Sequence, residues 1–70
     1  PDQAMAEASR LVAGSPDDPY FLELEGQIML ESGRVSDAIP VLRRAAARAP
    51  MEPMILTLLG HALVTSETPA

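Results

Sequence analysis

"GQIMLESGRVSDAI", residues 26–39, decides the fold. Two glycines stand seven residues apart in an otherwise helical stretch. Gly26 lies inside an apolar run, where glycine costs roughly 1 kcal/mol of helix stability relative to alanine. Such a cost is offset when another helix must come close. Gly33 serves differently, standing where the helix should stop as the left-handed residue just past its end. Ser36 and Asp37 then supply a start signal for the next helix. The stretch therefore predicts the end of one helix, a tight turn and an antiparallel partner.

Working outward, the chain repeats itself with a period of 34 residues. Pro16 falls on Pro50 and Pro19 on Pro53, while Leu22, Leu24 and Gly26 fall on Leu56, Leu58 and Gly60. Ala4 and Met5 fall on Ala38 and Ile39. Four helices follow. The first is expected from about Gln3 to Ala13, closed by Gly14, Ser15 and Pro16. The second starts at Pro19 after an Asp18 cap, because proline loses nothing at a first helical position. The third begins at Ser36 or Asp37 and stops before Pro50, with Pro40 near its first turn. Asp37 near its start and Arg48 near its end suit the helix dipole. The fourth runs from Glu52 or Pro53 to Ser66. Short links between helices make neighbours antiparallel, so the expected class is all-α, an antiparallel array of helix hairpins. Gly26, Ala38 and Ala45 are the expected points of closest helix approach, with Leu22, Met29, Ile39 and Leu42 around them.

This pattern resembles the tetratricopeptide repeat. With the unit counted from Pro19, that family asks for small residues where this chain has Gly26, Ala38 and Ala45, and for proline where it has Pro50. Its turn glycine is matched by Gly33. One position departs: the family's usual leucine is replaced by Glu25, and Leu59 restores it one period later. The resemblance divides the chain into the second helix of one repeat (1–16), a full repeat (19–52) and the first helix of another (53–70), a fragment of an α-solenoid.

Composition sets limits on function. A chain of 70 residues is one domain, whose core rarely supplies more than about 3–5 kcal/mol. It has no cysteine and one histidine, His61, so neither a thiolate zinc site nor paired helical histidines are available. No phosphate-binding glycine loop is present, and catalysis, metal and cofactor are not expected. The net charge of −5 argues against nucleic acid. No apolar run approaches the ~20 residues that span a bilayer. All five basic residues are arginine and alanine is abundant, which suggests a GC-rich bacterial coding bias. Because the chain opens on Pro1, it is expected to be a piece of a longer protein.

The expected partner is a protein or peptide. In repeats of this family the first helix of each unit lines a concave groove. Helical spacing places Tyr20, Glu23, Gln27 and Leu30 on one such face, and Met54, Thr57, His61 and Val64 on the equivalent face of the last helix. The lysine–asparagine clamp of one well-known variant is absent, since the chain has neither residue type. The face also suits a solvent-washed spacer, and His61 either a hydrogen-bonding or pH-sensitive contact in the groove or a tolerated polar residue. Arg43, Arg44 and Arg48 suit either an acidic partner or a solvated surface paired to nearby glutamates. Leu56, Leu59, Gly60 and Leu63 form the face that a following helix would cover, so self-association through the last helix is expected.

A second resemblance concerns residues 17–39, whose wording is similar to the C-terminal repeats of bacterial zinc metalloproteases bearing HExxH. It implies a periplasmic or envelope setting and a role in positioning substrates or assembly partners for a catalytic domain.

Overall fold

The computed structural model describes residues 2–67, so the outermost parts of the expected end segments, Pro1 and 68–70, lie outside the described residues. It contains four helices: α1 (Asp2–Gly14), α2 (Pro19–Glu31), α3 (Val35–Arg48) and α4 (Pro53–Glu67). Each packs on the next, and α2 also touches α4.

The boundaries follow from local chemistry. Asp18 is extended (φ −77°, ψ 112°), and its side chain accepts the Tyr20 N–H at 2.9 Å, with Pro19 in the first turn. At the other end of α2, Gly33 has φ 78°. Arg34 N–H reaches back to the Met29 carbonyl at 2.8 Å, and Gly33 N–H to that of Leu30 at 3.1 Å. This six-to-one and five-to-two pair is a Schellman turn. Arg34 also serves as the residue before α3, its carbonyl accepting the Ala38 N–H at 3.1 Å. The third helix therefore begins at Val35, slightly earlier than Ser36 or Asp37. Pro40 is its sixth residue, beyond the first turn, so α3 forgoes one internal hydrogen bond.

The core is built on α3. Ala38, Leu42 and Ala45 are fully buried. Ala45 joins Val12, Leu22 and Ile55, while Ala38 and Leu42 join Met29 and Ala62. Gly26 is the close approach that the sequence implies, and the side chain nearest to it is Leu42. A Cβ at Gly26 would lie 2.5 Å from Leu42 Cδ2 and 2.7 Å from Cγ. The alanines let α3 come near, and Leu42 fills the gap that the glycine leaves.

Three further expectations change. Leu59 is only partly open to water: it is half-buried against the Met29, Ala38, Leu42 and Ala62 cluster, as is Leu58. Leu63 is also half-buried. Leu30 packs on that cluster too, which removes it from an open groove. Glu25, which stands where the family usually has leucine, is only 8 % exposed and accepts a hydrogen bond from the Ser9 hydroxyl at 3.1 Å. It packs toward α1, which supplies the one polar partner the acid needs. Among the described residues no buried side-chain nitrogen or oxygen lacks a partner.

Candidate functional site

The start of α2, the end of α3 and the entry to α4 enclose a cavity of ≈140 Å³, lined by Pro19, Tyr20, Glu23, Ala49, Glu52 and Ile55. Each side is placed by a local constraint. The Asp18 cap fixes the first turn of α2 and hence Tyr20. The Tyr20 ring leans on Phe21, centroids 5.9 Å apart, yet the residue is 66 % exposed. Glu23 follows on the same helix face and is half-buried. Ala49 ends α3, its N–H bonded to the Ala45 carbonyl at 2.9 Å. Glu52 precedes α4, where its carbonyl accepts the Leu56 N–H at 3.2 Å. Ile55, fully buried, forms the apolar floor.

The remaining face residues are not among the cavity's lining. Gln27 is exposed, and its amide donates to Glu31 Oε2 at 3.4 Å, an i,i+4 pair along α2. On α4, Met54, Thr57 and His61 are exposed, Met54 by 53 %. Met51, in the turn before α4, is 87 % exposed. Tyr20 and Glu23 thus share a cavity with Glu52, whereas Leu30 is drawn into the core. Sequence reasoning missed Ala49, Glu52 and Ile55 as site residues. For Glu52 a signal existed: one period earlier stands Asp18, the acid before a helix-opening proline.

A larger cavity, ≈220 Å³, lies beside α3 and is lined by Asp17, Leu22, Arg44, Ala47 and Arg48. Its cations are already engaged. Arg48 Nη2 lies 2.9 Å from Asp17 Oδ2, and Arg44 Nη2 donates to the Pro16 carbonyl at 2.9 Å. These arginines fasten the α1–α2 turn to α3, pairing with a carbonyl and an aspartate rather than with glutamates.

Among the described residues, no group of three or more His, Cys, Asp or Glu is placed to hold a metal ion. No helix among them is long and apolar enough to cross a membrane. No curated protein and no solved structure matches the chain. A family model, the tetratricopeptide repeat, does: it matches residues 1–53 and again residues 23–66. Two overlapping placements are what an internally repeated array of helix hairpins should give, and the chain belongs to the tetratricopeptide repeat family.

Proposed function

We propose that this chain is a non-catalytic scaffold that binds extended peptide segments along the α2–α4 face. The repeat family suggests a protein-interaction role in general. The observation that carries the peptide reading is the exposure of Tyr20, which lines the cavity, together with that of Met51 and Met54, the sequence neighbours of its lining residues Glu52 and Ile55. Tyrosine is enriched at binding hot spots, and methionine suits surfaces that adapt to more than one partner. The test is an NMR titration of the 70-residue chain with a short blocked peptide of alanine, leucine and serine. Shifts are expected at the amides of Tyr20, Gln27, Met54, Thr57 and His61. Shifts confined to Arg43, Arg44 and Arg48 would move the site to α3.

A second reading, self-association, rests on a comparison within the chain. Leu22 is 1 % exposed, whereas Leu56, one period later, is 47 % exposed. A side chain at Gly26 would strike Leu42, whereas one at Gly60 would meet nothing within 4 Å. The α4 face repeats the residues that α3 covers on α2, and a second copy of the chain would bury it.

The non-catalytic reading predicts that the chain retains no stoichiometric zinc after dialysis and cleaves no peptide after repurification. The wording of residues 17–39 supports a third reading, that the repeats serve a metalloprotease by positioning its substrates or assembly partners. An HExxH helix encoded upstream in the same gene would support it, and further repeats without such a helix would oppose it.

A further inference from the structure

We infer that the cavity between α2 and α4 takes a cationic side chain, an arginine or lysine of the bound peptide, between Glu23 and Glu52 and against the Tyr20 ring. This inference rests on the peptide-groove reading and assigns its specificity.

The first observation is which acids are already engaged. Glu7 pairs with Arg10, Asp17 with Arg48 and Asp37 with Arg34. Asp18 accepts a backbone N–H, Glu25 a hydroxyl and Glu31 an amide. Apart from Asp2 and Glu67, at the two ends of the described chain, that leaves Glu23 and Glu52. Both line the same cavity.

The second observation is the distribution of charge. All five arginines lie on α1, α3 or the α2–α3 turn, and none lies on α2 or α4. The α2–α4 face therefore carries acids with no internal lysine or arginine to answer them. Charge of one sign around an apolar cleft selects partners of the opposite sign.

Size and chemistry narrow the ligand. A cavity of ≈140 Å³ is below the roughly 300–1,000 Å³ of small-molecule sites and suits the end of one side chain. Ile55 and Ala49 offer an apolar surface for the methylene stem, which long basic side chains readily bury. The Tyr20 ring adds a face for the cation. A metal ion is disfavoured because no third ligating side chain joins the two carboxylates.

The experiment uses the alanine–leucine–serine peptide with its central residue set to arginine, glutamine or glutamate. Calorimetry and NMR on the whole chain should show arginine tighter than glutamine by about fivefold to tenfold, the combined size of an exposed cation–π contact and a surface ion pair. Glutamate should be weakest. The arginine advantage should vanish in Glu23→Gln/Glu52→Gln and shrink in Tyr20→Leu, which leaves both acids in place. Because Glu52 adjoins the start of α4, where negative charge is favoured, Glu23→Gln alone provides a second variant with an undisturbed helix entry. Equal affinity for arginine and glutamine peptides, with shifts on α2 and α4, would overturn the inference while leaving the groove reading intact. An arginine advantage that survives the double variant would also overturn it. Failure of every peptide to bind would overturn both.

Discussion

Alanine substituted at Gly26 and at Gly60, one period apart, should change stability in opposite directions. Both positions are helical, so alanine gains about 1 kcal/mol of propensity at each. At Gly60 nothing lies within 4 Å of the new Cβ, and that gain stands alone. At Gly26 the new Cβ falls 2.5 Å from Leu42 Cδ2 and 2.7 Å from Cγ, with Cδ1 at 3.4 Å. Carbon atoms rest about 3.5–4.0 Å apart, so Leu42 must retreat by roughly 1 Å. Contact at the branch point means that rotating one methyl away is not enough. Leu42 is fully buried and packed with Met29, Ala38 and Ala62, so its retreat pushes on its neighbours. Overpacking of this kind costs about 1–3 kcal/mol. With three contacts against a fully buried side chain, the upper part of that range applies. The expected net effects are a loss of about 1–2 kcal/mol at Gly26 and a gain of up to about 1 kcal/mol at Gly60.

Thermal unfolding followed by circular dichroism reads both, since 1 kcal/mol shifts the midpoint of a domain this small by roughly 4–8 °C. Leu42→Ala provides the control. Alone it should cost about 2–5 kcal/mol, but combined with Gly26→Ala it should cost less than the sum, because the two share one space. Equal stabilisation by the two glycine substitutions, or strict additivity in the double variant, would refute the contact.

The Schellman turn predicts that Gly33→Ala lowers stability by about 1–2 kcal/mol, the cost of a left-handed backbone to an L side chain, measured by urea unfolding. Glu25→Leu should raise the melting temperature by the equivalent of about 1 kcal/mol, because a nearly buried carboxylate held by one hydroxyl is replaced by an apolar side chain. Exposed Ser9 can turn to water, and a lower melting temperature would show that the hydrogen bond outweighs desolvation. Light scattering should find wild type associated at high concentration and Leu56→Glu monomeric. A monomeric wild type would remove the self-association reading.

How much was legible in the sequence depended on whether a residue's surroundings repeat along with it. Gly33, Asp18 and Pro19 act through backbone groups within a few residues, so type and spacing were enough to place the caps and the turn. Gly26 was legible as a close approach, yet its nearest neighbour was not: the three atoms closest to a Cβ there all belong to Leu42. Glu25 broke the expected pattern because its partner, Ser9, lies on α1, where no local rule would look for it. The period also misleads wherever identical residues have unlike neighbours. Leu22 and Leu56 occupy the same register, but α3 covers only the first. Glu52 shows the converse. The register makes it the counterpart of Asp18, whose carboxylate is spent on the Tyr20 N–H. At Glu52 no such side-chain bond forms among the described residues, and the residue lines a cavity shared with Glu23. A repeat therefore fixes where a charged side chain stands. Whether that side chain closes its own helix or is left for a partner is decided by the bond it makes, and here that difference separates a cap from a candidate binding residue.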